Sequence, residues 1–196
     1  MEMFKEAQAD LLSVIILLGV VMVVGVGFSA LVASHMSNIS SESNVRRILL
    51  SEQANLVLYK EFENSTHVCI GVLRIVQENV RYSIAIFSND LTKNVLPNGV
   101  LSIPVSTASF ILKPVDAKKV YYLYNGEYYN VPVKGFVYVA DVPSDVIENY
   151  VLLGKPFLIC VDKNALRESD VSIARIMLFI YINQNLYEVG EWYVNA

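Results

Sequence analysis

The chain has 196 residues, enough for one folded domain of ordinary size plus an appendage, and only 17% of them are charged against roughly 25% in a typical soluble domain. A net charge of -4 gives no electrostatic reason to bind nucleic acid, and the basic pairs Arg46-Arg47 and Lys118-Lys119 are too short to track a phosphate backbone. The hydrophobic fraction of 54% and mean hydropathy of +0.43 are high for a soluble protein, and one N-terminal segment accounts for much of the excess.

That segment, 11–33, reads LLSVIILLGVVMVVGVGFSALVA, and no charge falls between Asp10 and His35. As a helix it covers roughly 30–35 Å, enough to cross a hydrocarbon core. It is apolar on every face, which an ordinary core helix is not. The expectation is burial in a membrane, in a filament core, or in each in turn. The run is too long for the apolar part of a secretory signal, and Lys5 is the one basic residue ahead of it. Small residues recur at Ser13, Gly19, Gly25, Gly27, Ser29 and Ala30. Such residues let helices approach closely where lipid and protein are equally apolar, so they predict a helix-packing surface. Gly and Ser are also commoner in membrane helices generally.

Ahead of the helix stands Met1-Glu-Met-Phe-Lys-Glu-Ala7, followed by Gln8-Ala-Asp-Leu-Leu12. A short charged leader ending in a small residue just before the apolar run resembles the class III signal peptide of archaeal type IV pilins and archaellins. The resemblance covers about 30 residues. It implies cleavage by a membrane-bound prepilin peptidase on the cytoplasmic side. Lys5 and Glu6 would then be the charged positions before the cut, Ala7 the residue at the cut, and Gln8 the new N-terminus. It also implies that mature helices bundle into a filament core with the C-terminal domains outside. Two positions depart from the family pattern: Ala7 stands for the usual glycine, and Asp10 is the only acid near the mature N-terminus.

From Ser34 to Glu63 the sequence turns polar without Pro or Gly. Val45, Leu49, Leu56 and Tyr59 fall near one helical stripe, so a single helix is expected over 8–63, closed by Asn64-Ser65-Thr66. From His67 onward, β-branched and aromatic runs alternate with turn residues. Val80, Tyr82, Ile84 and Ile86 show the period of two that marks a half-buried strand. Asn125-Gly126 between Val120–Tyr124 and Glu127–Val131 is a strong hairpin signal, and Asn98-Gly99 a weaker one. Ser144–Tyr150 reads as a helical turn and Lys163–Asp170 as a polar connection. The expected fold is α+β: a long N-terminal hydrophobic helix, then an antiparallel β-sandwich or open β-barrel of about eight strands over 67–196, pilin-like in shape. The domain scheme is leader 1–7, helix 8–63 with its membrane-spanning or filament-core part at 11–33, and an extracellular β domain 67–196.

Cys69 and Cys160 are far apart in sequence and lie in apolar runs, without the spacing or companions of a zinc site. Two readings stand, a pair of buried small side chains or a disulfide in an extracellular domain. Asn38-Ile-Ser40 and Asn64-Ser-Thr66 match the N-glycosylation pattern. Charge bias does not orient the helix, since Lys5 on one side faces Arg46 and Arg47 on the other. The leader pattern places the β domain outside. The tyrosines at 121, 122, 124, 128 and 129 predict cross-strand pairing, with an exposed remainder available for contact. Only His35 and His67 are present, and no phosphate loop or dinucleotide fingerprint occurs. No enzyme, cofactor or metal site is expected.

Two functions follow. The leading one is a structural subunit of an archaeal type IV pilus-like surface filament, whose partners are its own copies, the membrane before assembly, and the prepilin peptidase. The alternative is a permanently membrane-anchored, extracytoplasmic β-sandwich that binds a surface layer or serves in a filament motor.

Overall fold

The computed structural model describes the backbone of residues 2–106 and 108–196 and, within these, the side chains of 19–34, 42–106 and 108–196. The chain is α+β and mostly β, and it divides into two compact units, Met1–Arg47 and Ile48–Ala196. Helix α1 (Glu2–Asn55) takes in the expected leader and apolar run. Among the described residues no helix is long and apolar enough to cross a membrane. Of the expected 11–33 span, the side chains of 11–18 lie outside the described residues.

The helix expected over 8–63 stops at Asn55. Residues Leu56–Glu63 form strand β1 instead, paired antiparallel with β2 (His67–Arg74) from Leu56↔Arg74 to Glu63↔Val68. The Asn55 carbonyl accepts from the Ile75 N–H at 2.8 Å, so the ladder begins where the helix leaves off. Residues 56–59 suit a helical stripe and a strand alike, and the cross-strand ladder, which shifts register once between Lys60 and Phe62, decides the matter. The compact unit accordingly starts at Ile48, well before the expected boundary at 67.

The remaining strands are β3 (Tyr82–Ser88), β4 (Asn94–Val95), β5 (Leu101–Ser102), β6 (Ile111–Asp116), β7 (Val120–Tyr124), β8 (Glu127–Asn130), β9 (Phe136–Asp141), β10 (Phe157–Asp162), β11 (Ile173–Ile182) and β12 (Asn185–Asn195). They form a four-stranded sheet, β1-β2-β10-β5, and an eight-stranded sheet, β6-β9-β3-β11-β12-β7-β8, in which β4 adds to β3. The larger sheet curls into a half-barrel. Pairing is antiparallel except where β12 meets β7, at Leu186↔Val120 and Tyr187↔Tyr121, which corrects the all-antiparallel expectation.

Asn125 and Gly126 take φ of 52° and 83° and close the β7–β8 hairpin as their sequence demands. Asn98-Gly99 makes a turn, but β4 and β5 on either side of it join different sheets, so no hairpin forms there. Ser144–Val146 (α2) runs on into a π-helical turn, Ile147–Val151. The expected polar connection at 163–170 contains helix α3 (Lys163–Glu168), capped by the Asp162 carboxylate accepting from the Asn164 and Ala165 amides.

Alternation along β2 and β10 buries Val68, Ile70, Val72, Phe157, Ile159 and Val161 on one face. On the larger sheet, Ala85, Phe87, Val137, Val139, Met177, Phe179 and Leu186 build one apolar cluster closed by Val120 and Val131. The two sheets come close at Gly190, where an added Cβ would stand 2.6 Å from Leu58 Cδ1 and 3.2 Å from Leu56 Cδ2.

Candidate functional site

Over 19–34 the described side chains of α1 are exposed on every face, with Val23 at 74% and Phe28 at 68%. A Cβ placed on Gly19, Gly25 or Gly27 would meet nothing within 4 Å. Ser29 Oγ donates back to the Gly25 carbonyl at 2.8 Å, which satisfies the hydroxyl within the helix and leaves the surface apolar. With Ala30 also exposed, this stretch offers shallow places where another helix backbone can come close. The side chains of Lys5, Glu6, Ala7, Gln8, Ser13 and Asn38 lie outside the described residues.

The last turns of α1 are fixed to both sheets by a buried polar joint. Glu52 (4% exposed) takes Arg74 of β2 (3%) in a bidentate grip, Nε at 3.0 Å and Nη2 at 2.9 Å, and accepts from the Tyr82 hydroxyl of β3. Arg74 also donates to the Val76 carbonyl and to Glu78 Oε2 at 3.1 Å. Burial works against the Arg74 charge, but the Glu52 hydrogen bonds and charge outweigh it and hold the guanidinium more firmly protonated than usual. Burial first, and then the bond to Glu52, push the Tyr82 hydroxyl well above its ordinary range. The sequence gives little sign of this joint, because an Arg inside an apolar strand and a Glu on a helix read as surface charges when taken singly.

Cys69 and Cys160 are opposite each other on β2 and β10, and a disulfide joins them with Cα atoms 4.0 Å apart. Asn64 ends β1 in an exposed turn, its Oδ1 accepting from the amides of Thr66 and His67 at 2.8 and 2.6 Å and from the Thr66 hydroxyl at 3.1 Å. Thr66 Oγ1 also lies 2.9 Å from His67 Nδ1, but His67 Nε2 stands 3.8 Å from Asp162, beyond hydrogen-bond reach, and Asp162 is occupied in capping α3. Among the described residues no group of three or more His, Cys, Asp or Glu is placed to hold a metal ion.

A groove of about 340 Å³ opens between β1–β2 and β12, lined by Leu58, Lys60, Glu63, Val68, Ile70 and Trp192 among others. Its carboxylates are both paired, Glu191 with Arg175 and Glu63 with two lysines. Glu63 binds Lys163 at 2.6 Å and Lys60 at 3.1 Å, and these bonds hold its carboxyl below the usual range.

The β7–β8 hairpin divides its tyrosines between its two faces. Tyr121 stacks on Tyr187 of β12 with ring centres 4.9 Å apart, and Tyr128 meets the same ring edge-on. The Tyr128 hydroxyl donates to the Glu188 carbonyl at 2.9 Å and accepts from Gln53 Nε2 at 3.1 Å. On the other face Arg175 of β11 sits between the rings of Tyr122 and Tyr193, 5.7 and 5.8 Å from their centres. Its guanidinium donates to Glu191 and lies 4.0 Å from Glu188. Burial pushes the Glu188 carboxyl up to about 7, although the Leu123 amide donates to it at 2.9 Å. Cross-strand pairing therefore accounts for much of the cluster, while Tyr124, Tyr129 and Tyr193 keep large exposed surfaces.

Comparison with family models, with curated proteins and with solved structures finds no match to this chain.

Proposed function

We propose that this chain is a structural subunit of an archaeal type IV pilus-like surface filament, polymerising through its N-terminal helix and carrying the β domain on the outside for adhesion or shielding. The observation that carries this reading is the apolar surface of 19–34, exposed on all sides. Apolar surface of this extent is stable only under a cover of lipid or of like helices. Full burial of one Val, Leu or Phe side chain is worth roughly 1.5–3 kcal/mol, so a bundle of such helices offsets extraction from the membrane. The open positions at Gly19, Gly25 and Gly27 suit close packing between copies. The Cys69–Cys160 disulfide fits an oxidising, extracytoplasmic setting for the β domain.

The permanently anchored module is the second reading, favoured by one observation: Ala7 stands where the pilin leader carries glycine. Mass spectrometry of the mature N-terminus separates the two. A peptide beginning at Gln8 is expected for the filament subunit, and an intact Met1 or Glu2 on the surface-exposed protein would refute processing at this site.

A further inference from the structure

We propose that the tyrosine face of the β7–β8 hairpin is a docking site for the Arg46-Arg47 pair of a neighbouring copy of this chain. The inference rests on the filament reading and names a contact within it.

Arg175 shows what this face accepts. Its guanidinium lies between the rings of Tyr122 and Tyr193 and bonds a carboxylate, Glu191, at the ring edges. Planar guanidinium groups favour this pairing of aromatic faces with a carboxylate fork. The row of rings continues past Arg175. Tyr129 is 6.2 Å from Tyr122, and Tyr124 is 6.4 Å from Tyr129. Here two rings and a carboxylate meet again in a different arrangement: Tyr124 and Tyr129 touch edge-to-face, at 69° between planes, and the Tyr129 hydroxyl holds Glu127 at 2.8 Å, so a guanidinium would lie on the outer ring surface beside the carboxylate. Among the described residues, no Lys or Arg pairs with Glu127. Tyr124 and Tyr129 are 57% and 45% exposed, so their ring faces are open to a partner. Across the whole face, Arg175 stands against the carboxylates of Glu127 and Glu191, with Glu188 held partly protonated by burial, an acidic balance that suits a further cation.

The complementary charge is on α1. Arg46 and Arg47 are adjacent and exposed, and neither has an ion pair among the described residues. They lie between the exposed apolar stretch and the joint at Glu52. A contact from this part of one copy to the hairpin of another joins two different surfaces. Made in one direction only, it is heterologous, and where the rotation between copies does not close, such contacts repeat along an open helical assembly. Electrostatic complementarity of this kind sets register and partner choice more than raw affinity.

The test uses the full chain in its native cell envelope, with Tyr124 replaced by a photo-cross-linking phenylalanine analogue. Irradiation followed by digestion and mass spectrometry should give an adduct between copies that maps to 42–50. Arg46→Glu with Arg47→Glu should lower its yield by about ten-fold or more, and adding Glu127→Lys should restore a substantial part. No adduct between copies, an adduct mapping elsewhere, or a yield indifferent to the charge reversal would overturn the proposal. Electron microscopy of the same material keeps the two ideas apart. An adduct at 42–50 without filaments refutes polymerisation and leaves the contact standing; filaments without that adduct do the reverse.

Discussion

Removing the Glu52 carboxylate tests whether the end of α1 is held by its buried joint. In Glu52→Ala, Arg74, 3% exposed in the native fold, loses its bidentate partner, and the hydroxyl of Tyr82, a residue 1% exposed, loses its acceptor. Breaking a buried pair by deleting one member costs about 3–5 kcal/mol where the remaining charge is left uncompensated; Arg74 keeps its bond to the exposed Glu78, so a cost of about 3 kcal/mol, at the lower end, is expected. A domain of this size has a total stability of roughly 5–15 kcal/mol, so the loss is a large fraction of the whole. The assay is urea unfolding of the full chain in detergent, followed through Trp192, the single tryptophan and a buried one. The Ile75 amide, which bonds the Asn55 carbonyl at the end of α1, should exchange with solvent faster in the same variant. Replacing both charged partners with apolar residues of similar volume, Glu52→Leu with Arg74→Met, should recover much of the loss. A cost below 1 kcal/mol for Glu52→Ala would show that the joint contributes nothing beyond its hydrogen bonds, and the reasoning would be wrong.

Three further outcomes are expected. Cys160→Ser should lower stability by up to roughly 4–5 kcal/mol, the loop-closure value for a cross-link of this span, and calorimetry of oxidised and reduced protein should show the same shift. Gly190→Ala should cost about 1–3 kcal/mol in denaturant titration, because the new methyl would meet Leu58 and Leu56 of the facing sheet; trimming Leu58 to Ala should reduce that penalty. Glu188 is raised from an ordinary 4.5 to about 7 by burial, so the folded protein keeps a proton that the unfolded chain has lost. The resulting stabilisation, about 3 kcal/mol, is fully present below pH 4.5 and disappears as pH rises through 7. Glu188→Gln should flatten the pH dependence of stability across that interval, and an unchanged slope would contradict the assignment.

Much of the β domain can be read from local chemistry. The turn at Asn125-Gly126 needs two positive φ values, and the sequence supplies residues that accept them. The long apolar run at Ile173–Ile182 is a central strand with neighbours on both sides, as its composition suggests. Other features depend on partners that no local pattern announces. Residues 56–59 satisfy helical and strand periods equally, and the facing strand at 67–74 decides between them. Strand β6 carries Pro114, which argues against a strand until its place at the sheet edge is known. The β11–β12 hairpin turns at Asn183-Gln184, both at positive φ, without the glycine that would have marked it. The polar clusters at Glu52–Arg74–Tyr82 and Glu188–Arg175–Glu191 join residues on separate elements, so only the folded topology shows that their charges meet. Cys69 and Cys160 lie opposite each other because β10 returns beside β2, a pairing the spacing alone left open.

In the proposed filament, copies of this chain assemble through their apolar helices. Electron microscopy of material sheared from the cell surface, labelled with antibody against the β domain, addresses it most directly. Label should run continuously along thin filaments whose subunits begin at Gln8. Label confined to the membrane fraction, with no decorated filament, would contradict this assembly.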